Sequence, residues 1–299
     1  MKMTVWTQWD DLIVPEGITA LGPATCSLES ADLGAIDFFV PQYMGGSDAL
    51  AFARKMPNLK YLQVPNAGFD DAIEYLRPGM ILCNARGVHD ASTSELAIGL
   101  AIASRRGLAD FVRAQDRGEW LHERYPSFND SNIAIVGFGS IGQSLARSLS
   151  GFDVTITGFS RSATAGALGM ERLDELLSTF DIVFLTLPLN DQSRGLFNSD
   201  RLALMKNGSL IINVARGPVI DTEALLKELN SGRLYAGLDV TDPEPLPVGH
   251  RLWSAKNCII SPHVGGDSSA FESRGKILVE QQLARLARGE ELINIVARA

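Results

Sequence analysis

The stretch NIAIVGFGSIGQSLARSL, residues 132–149, constrains the fold more than any other part of the chain. An apolar run leads directly into Gly137, Gly139 and Gly142, and a helical pattern follows at once. In such a turn the first glycine allows a tight bend, the second lets a ligand approach the backbone, and the third lets the helix pack against the strand. The stretch therefore predicts a strand–turn–helix unit whose helix N-terminus can bind phosphate.

Short apolar runs alternate with helical patterns along the whole chain. Several runs are apolar at successive positions, which is typical of parallel strands covered on both faces. The candidate strands are TVWT (4–7), IDFFV (36–40), LKYLQV (59–64), MILCN (80–84), NIAIVG (132–137), VTITGF (154–159), DIVFLTLP (181–188), SLIINVA (209–215), AGLDV (236–240) and CIISP (258–262). This order predicts parallel, doubly wound sheets.

A long helical pattern at 92–107, STSELAIGLAIASRRG, marks the region where the chain changes domain. It begins with Ser and Thr caps and ends at Gly107. A fresh strand–helix series starts only at Asn132. We therefore expect the domain junction near this helix, and the last helical pattern, 271–289, is a candidate for a return to the first domain.

The glycine pattern alone leaves three interpretations open, because glycines cluster in many turns. The turn could be an ordinary strand-to-helix connection, or a methyltransferase turn that binds S-adenosylmethionine. At least four further strand-like runs follow it, which favours a dinucleotide-binding unit.

Charged and ionisable residues follow three strands of this second series. Arg216 comes after SLIINVA, Glu244 lies five residues beyond Asp239 at the end of AGLDV, and His263 follows CIISP. Ligands of open α/β sheets bind beyond the carboxyl ends of the strands, so we expect these side chains to meet there. Together they suit reduction of a keto acid: Arg216 holds the substrate, His263 moves the proton, and Glu244 orients His263 and stabilises its charge. Taken singly, Arg216 and Glu244 could be surface charges and His263 a structural histidine. The other histidines, interpreted as structural or solvated, are His89, His122 and His250.

The stretch GFSRSA, residues 158–163, indicates which dinucleotide binds. An acidic residue about twenty residues after the glycine turn would bind the ribose hydroxyls of NAD, and the chain has Ser160, Arg161 and Ser162 there instead. A guanidinium with flanking hydroxyls suits a 2′-phosphate. We therefore predict that NADP(H) is preferred and NAD(H) is possible. The alternative is a solvated turn that tolerates either cofactor.

Composition excludes several other classes of protein. The net charge of −8 gives no support to a nucleic-acid-binding surface. No run of about eighteen apolar residues predicts a transmembrane helix, and the start MKMTVWTQWDD does not resemble a secretory signal. Cys26, Cys83 and Cys258 have no metal-ligand spacing and are typical of a reducing compartment. We expect a cytoplasmic protein without a metal, a nucleic-acid partner or a membrane partner.

A set of longer motifs resembles the D-isomer-specific 2-hydroxyacid dehydrogenase family, in particular NADP-type glyoxylate/hydroxypyruvate reductases. The motifs are VGFGSIGQSLA, LPLNDQSRGLFN, LMKNGSLIINVARGPVIDTEALLKEL, GLDVTDPEPLP and LWSAKNCIISPH, in the family's order and spacing. Upstream, VPNAGFDD (64–71) and CNARGVHDASTSELAIGLAIASRR (83–106) resemble the family's substrate loop and interdomain helix.

The resemblance implies two doubly wound parallel-sheet domains with the site in the cleft. A flavodoxin-like substrate domain would comprise 1–94 and 266–299, and a Rossmann cofactor domain 95–265. A homodimer through the cofactor domain is also implied. Two departures accompany it: PHVGGDSSAFES replaces a small-residue and threonine pattern, and the match is weak before residue 59. Tyr43 and Met44 could line the specificity pocket or form a plain turn.

The resemblance also implies roles for individual residues. Arg216, Glu244 and His263 would be catalytic, and Arg216 would bind substrate together with the backbone of Asn66, Ala67 and Gly68, which receives the substrate carboxylate. Asp239 would contact the nicotinamide end. The expected cofactor contacts are Gly137, Gly139, Ser140, Ile141, Gly142, Ser160, Arg161, Ser162, Leu187, Pro188, Val214, Ala215 and Asp239.

The sequence thus predicts hydride transfer between NADP(H) and a small 2-keto or D-2-hydroxy acid, in the direction of glyoxylate or hydroxypyruvate reduction. Two alternatives come from other classes of protein. A non-catalytic NAD(P)-sensing protein of the same fold would not need His263 for its function. A methyltransferase would have no use for the NVARG and SPH segments.

Overall fold

The computed structural model describes residues 2–163 and 166–299, which form two compact units. Unit 1 contains the chain up to His89 together with Ser269–Ala299, and unit 2 is Asp90–Ser268. The division expected from the sequence, 1–94 with 266–299 and 95–265, stays a prediction beside this one.

Strands and helices alternate along most of the chain. The strands are β1 (Met3–Trp6), β2 (Ile18–Leu21), β3 (Phe38–Phe39), β4 (Tyr61–Gln63), β5 (Ile81–Cys83), β6 (Asn132–Val136), β7 (Thr155–Ser160), β8 (Leu168–Gly169), β9 (Ile182–Leu185), β10 (Leu210–Asn213), β11 (Tyr235–Leu238), β12 (Cys258–Ile260) and β13 (Ile295–Arg298). The α-helices are α1 (Gly46–Ala51), α2 (Asp90–Arg105), α3 (Leu108–Asp116), α4 (Ser140–Ser148), α5 (Leu173–Leu176), α6 (Ser199–Leu204), α7 (Thr222–Asn230) and α8 (Ala270–Ala287). Short 3₁₀ helices cover Leu33–Ala35, Phe52–Lys55, Ile73–Tyr75, Leu149–Gly151, Met170–Arg172, Leu177–Thr179, Gly217–Val219 and Arg251–Ser254.

The sheet of unit 1 has the strand order β13-β5-β4-β3-β1-β2. Its strands pair in parallel except at one edge, where β13 runs antiparallel to β5. Both faces are covered, because successive residues of β3 enter different clusters: Phe38 packs with Phe271 of α8, and Phe39 packs with Leu62 and Met56. This explains why the strand is apolar at successive positions.

The sheet of unit 2 is parallel throughout, in the order β12-β11-β10-β9-β6-β7-β8. The chain moves outward from β6 in both directions, so the order reverses between β6 and β9. Ile133 and Ile135 of β6 pack on one face with Leu100 of α2, and Ala134 and Val136 pack on the other face. A crevice at such a reversal is where doubly wound folds bind ligands.

The helical pattern predicted at 92–107 forms the single helix α2, and a second helix follows it. Helix α2 ends at Arg105, and α3 begins directly after Gly107, whose φ is +64°. A Cβ at Gly107 would lie 2.3 Å from the ring of Tyr125, so glycine is required on both counts. Within 2–163 and 166–299, no helix combines the length and the apolar composition needed to span a bilayer.

Candidate active site

The structure explains why each of the three positions in the turn of unit 2 is a glycine. Gly137 has a φ of +102°, and a Cβ there would lie 2.6 Å from the backbone nitrogen of Leu187. A Cβ on Gly142 would lie 2.4 Å from the carbonyl oxygen of Gly137, so a side chain would push α4 away from the turn. At Gly139 no described atom lies within 4 Å of the Cβ position. The turn is therefore tight against the protein at two glycines and open to a ligand at the third.

A cavity of about 360 Å³ opens at this turn. It is lined by the turn (Gly137, Phe138, Gly139), the end of β7 (Phe159, Ser160, Arg161, Ser162), Met170, and the segment after β9 (Thr186, Leu187, Pro188, Asn190, Gln192, Ser193, Leu196). It therefore brings together many of the predicted cofactor residues. Those outside its lining are Ser140, Ile141, Gly142, Val214, Ala215 and Asp239.

The end of β7 presents polar groups that suit a phosphate. Arg161 is exposed on the cavity wall, and no carboxylate of the described chain pairs with it. The Oγ of Ser160 is buried without a hydrogen-bond partner among the described residues. An unpaired hydroxyl and an unpaired guanidinium beside an open glycine fit the phosphate-bearing end of a dinucleotide.

His263 and Glu244 form a hydrogen-bonded pair at the carboxyl edge of the same sheet. His263 Nδ1 lies 2.5 Å from Glu244 Oε1, and both side chains are about two-fifths exposed, at 40% and 38%. Burial raises the pKa of Glu244. The hydrogen bond from His263 and the positive charge of His263 lower that pKa. The backbone of Thr241 and the charge of Arg216 lower the pKa further, so the net shift is downward. Glu244 is thus an ionised acceptor, which fixes the proton of the pair on Nδ1.

The loop that carries His263 is held by Asp239, which is only 2% exposed. His263 has a φ of +55°, and its backbone N–H donates to Asp239 O at 2.7 Å. The Asp239 carboxylate accepts hydrogen bonds from Ser261 Oγ (2.7 Å), Val264 N (2.9 Å) and Gly265 N (2.8 Å). Sequence reasoning missed this local role. Contact of Asp239 with the nicotinamide end stays a prediction.

Arg216 leaves the end of β10 on a turn organised by Asn213. The Asn213 side chain accepts from Ala215 N and donates to Arg216 O, each at 3.0 Å. A Cβ on Gly217 would lie 1.8 Å from Thr241 O, so the turn lies directly against the segment that leads to Glu244. The structure therefore brings the ends of β10, β11 and β12 together, as the strand-end argument predicts, whereas Asn213 was missed.

The residues predicted to bind the substrate or to line its specificity pocket, other than Arg216, lie in unit 1. Asn66, Ala67 and Gly68 form the half-buried loop after β4, and the buried Asn66 Oδ1 has no hydrogen-bond partner among the described residues. The Tyr43 ring stacks on Phe271 at 3.9 Å and on His89 at 5.4 Å, while Met44 is 54% exposed.

Two cysteines can be set aside as nucleophiles. Burial raises the pKa of the Cys83 and Cys258 thiols to about 12. A thiol with such a pKa is protonated at neutral pH and is a poor nucleophile. Neither thiol is therefore a candidate nucleophile.

Comparison with known proteins identifies the family. Residues 98–265 match the model of the D-isomer specific 2-hydroxyacid dehydrogenase, NAD binding domain. The chain belongs to this dehydrogenase family. A glyoxylate reductase from Pyrococcus furiosus is 35% identical to this dehydrogenase over 253 residues, which are 78% of the chain and 74% of the relative. A glyoxylate reductase from Thermofilum pendens is 33% identical over 249 residues, again 78% and 74%.

A solved structure extends the similarity over the whole dehydrogenase. The NADPH-dependent glyoxylate/hydroxypyruvate reductase from Sinorhizobium meliloti, in complex with NADP and sulfate, is 26% identical. It covers 99% of this chain and 98% of its own, with a TM-score of 0.82. The predicted family, the α/β fold with two parallel-sheet domains, and NAD(P)-dependent action on CH–OH donors are confirmed.

Proposed function

We propose that this dehydrogenase uses NADPH to reduce a small 2-keto acid to the D-2-hydroxy acid, and that glyoxylate or hydroxypyruvate is the substrate. The observation that carries the proposal is the 2.5 Å contact between His263 Nδ1 and Glu244 Oε1, at a sheet edge that also carries Arg216. A proton donor, a carboxylate that stabilises its charged form, and a guanidinium are the groups that reduction of a keto acid requires.

His263 supplies the proton. Its Nδ1 is occupied by Glu244, whereas Nε2 makes no hydrogen bond to a described residue and can donate to the carbonyl oxygen as it becomes an alkoxide. The ionised Glu244 carboxylate stabilises the imidazolium before transfer and orients the ring throughout. Arg216 binds the keto acid through its planar guanidinium, which polarises the carbonyl.

The residues of unit 2 fit a nicotinamide dinucleotide, which supplies the hydride to the carbonyl carbon when bound. The open space at Gly139 and the first turn of α4 would hold the pyrophosphate. Leu187 and Pro188, in the lining of the 360 Å³ cavity, would pack against the apolar parts of the nucleotide.

The preference for NADPH is proposed from the end of β7. Ser160, Arg161 and Ser162 stand where an acid would bind the ribose of NAD. Arg161 would pair with the 2′-phosphate, and the unpaired Ser160 Oγ would gain a partner. The Sinorhizobium meliloti reductase was solved with NADP, which supports the proposal.

The substrate assignment is supported by the related enzymes. The Pyrococcus furiosus and Thermofilum pendens relatives are glyoxylate reductases, and the Sinorhizobium meliloti enzyme is a glyoxylate/hydroxypyruvate reductase. The carboxylate common to these substrates is proposed to bind the backbone N–H groups of Asn66, Ala67 and Gly68 in unit 1. The homodimer and the cytoplasmic location stay predictions.

The experiment that tests the function is a substrate panel with both reduced cofactors. Glyoxylate, hydroxypyruvate, pyruvate and phenylpyruvate are each mixed with the protein and NADPH or NADH, and cofactor oxidation is followed by absorbance. We expect glyoxylate or hydroxypyruvate with NADPH to give the highest kcat/KM, and chiral chromatography to identify a D-product from hydroxypyruvate. Binding of NADPH without turnover of any keto acid would favour the nucleotide-sensing alternative.

A further inference from the structure

The loop after β4 is held by three consecutive carbonyl groups. Each accepts a hydrogen bond from the segment that follows β5, so residues 65–67 of the loop are fixed on one side. The three bonds are His89 Nε2 to Pro65 O at 2.7 Å, Ala85 N to Asn66 O at 2.8 Å, and Asn84 Nδ2 to Ala67 O at 2.6 Å.

Peptide geometry then decides where the next three N–H groups point. These peptide bonds are trans, so the carbonyl of one residue and the N–H of the next lie on opposite sides of the chain. The N–H groups of Asn66, Ala67 and Gly68 are therefore directed away from the segment after β5. Within the described part of the chain none of the three donates a hydrogen bond.

Three successive N–H groups that all point away from the segment after β5 offer hydrogen-bond donors to an anion. We propose that Asn84 is a positioning residue for this site: by holding Ala67 O, it aims the N–H of Gly68 at the carboxylate of the substrate. This inference rests on the proposed function, because it assigns the anion as the carboxylate of a 2-keto acid.

The position of the Asn84 side chain is fixed by burial and by hydrogen bonds. Its side chain is buried, at 4% exposure, and its Oδ1 accepts from Arg86 N at 3.3 Å while its Nδ2 holds Ala67 O. Its own N–H donates to Asn294 O at 3.1 Å. The residue is therefore fixed at the backbone and at both ends of its amide. An aspartate of equal size would lack the donor toward Ala67 and would place a negative charge behind the anion site.

The test is the variant Asn84→Ala, with Asn294→Gly as the matched control. Asn294 Nδ2 donates to Arg86 O at 2.9 Å, so the control also removes an asparagine-to-carbonyl bond on the same segment. Glycine suits the control because Asn294 has a φ of +56°. The control leaves the bond to Ala67 O in place.

We expect Asn84→Ala to raise the KM for the keto acid about tenfold, which corresponds to the loss of one hydrogen bond to a charged group. The Ki of oxamate, an unreactive analogue with the same carboxylate, should rise by the same factor. The kcat and the Kd of NADPH, which binds unit 2, should stay within about twofold, and Asn294→Gly should leave all four quantities unchanged. A merely structural role would instead lower kcat and thermal stability together.

Asn84→Asp is the second variant, in case the alanine variant does not fold. We expect it to raise KM and the oxamate Ki at least as much, because the donor is lost and a like charge is added. Unchanged KM and Ki in either folded variant would overturn the positioning role. The Kd of oxamate, measured by calorimetric titration without turnover, also keeps this test separate from the proposed function: a wild-type protein that binds oxamate but reduces no keto acid would contradict the function alone.

Discussion

The imidazole of His263 and the carboxylate of Glu244 meet at 2.5 Å, although the two residues lie 19 positions apart in the chain. Glu244 lies beyond β11 and His263 beyond β12, and these neighbouring parallel strands bring the two loops to one edge. The pair combines an ionised carboxylate acceptor with an imidazole donor. It is the part of unit 2 to which we assign proton transfer.

Glu244→Gln is expected to lower kcat about ten- to a hundredfold at neutral pH, because the amide cannot stabilise the imidazolium with a full charge. The Kd of NADPH should be unchanged, which isothermal titration can check.

The ratio of wild-type to Glu244→Gln activity should also depend on pH. The pKa of Glu244 is lowered in the folded protein from an ordinary value of 4.5. Its ionised form therefore contributes fully above pH 4.5 and is lost only as the pH falls through the lower, folded value. Below pH 4.5 we expect the ratio to fall, because a protonated Glu244 is as uncharged as the glutamine amide. A titration midpoint of the Glu244 carboxyl above pH 4.5, followed by carbon-13 NMR, would contradict the downward shift of its pKa.

Two glycines of the turn should respond oppositely to alanine. At Gly139 the Cβ meets no described atom within 4 Å and φ is −79°, so Gly139→Ala should fold normally but fill the space proposed for the pyrophosphate. We expect NADPH binding to weaken at least about tenfold with little change in Tm. At Gly142 the Cβ would lie 2.4 Å from Gly137 O, so Gly142→Ala should lose about 1–3 kcal/mol of unfolding free energy.

Thermal unfolding and fluorescence titration of the two variants separate these effects. Equal loss of stability in both variants would mean that the turn has no ligand-facing glycine. Unchanged NADPH affinity in Gly139→Ala would place the pyrophosphate elsewhere.

Arg161→Ala should weaken NADPH about tenfold or more and leave NADH nearly unchanged, because only NADPH carries the 2′-phosphate. The effect should shrink with added salt, since Arg161 is exposed. Arg194→Ala is a matched control. Arg194 lies on the segment after β9 and is exposed like Arg161, but it does not line the cavity. Equal losses for both cofactors would refute the assignment of the phosphate site.

The central strands could be predicted from the sequence, whereas three of the four edge strands of the two described sheets could not. IVFL of β9 and LIIN of β10 are fully buried, which produces the continuous apolar runs that identify them. The three strands that no pattern predicted, β2, β8 and β13, lie at sheet edges and are short or half-exposed. Burial on both faces produces a continuous apolar run in the sequence, and β2, β8 and β13 lack such burial.

Some residues of the candidate site could also be predicted from the sequence, and others could not. Arg216, Glu244 and His263 could be placed together because parallel strands end at one edge. Asp239 and Asn84 act on backbone groups that are distant along the chain, for example Gly265 N and Ala67 O. The positions of such backbone groups depend on the conformation of the loops, which the hydrophobic periodicity of the sequence does not predict. For Asp239, the one sequence signal was the glycine at position 265. A Cβ there would lie 2.8 Å from Asp239 Oδ2, so the close contact with the carboxylate requires glycine.

The most direct test of the proposed reaction is the turnover of His263→Gln with saturating glyoxylate or hydroxypyruvate and NADPH, measured beside the Kd of NADPH. Glutamine preserves a polar side chain but cannot act as the proton donor. We expect kcat to fall by about 10²–10⁴-fold while the Kd of NADPH stays within about twofold. A kcat equal to that of the wild-type enzyme would contradict the account.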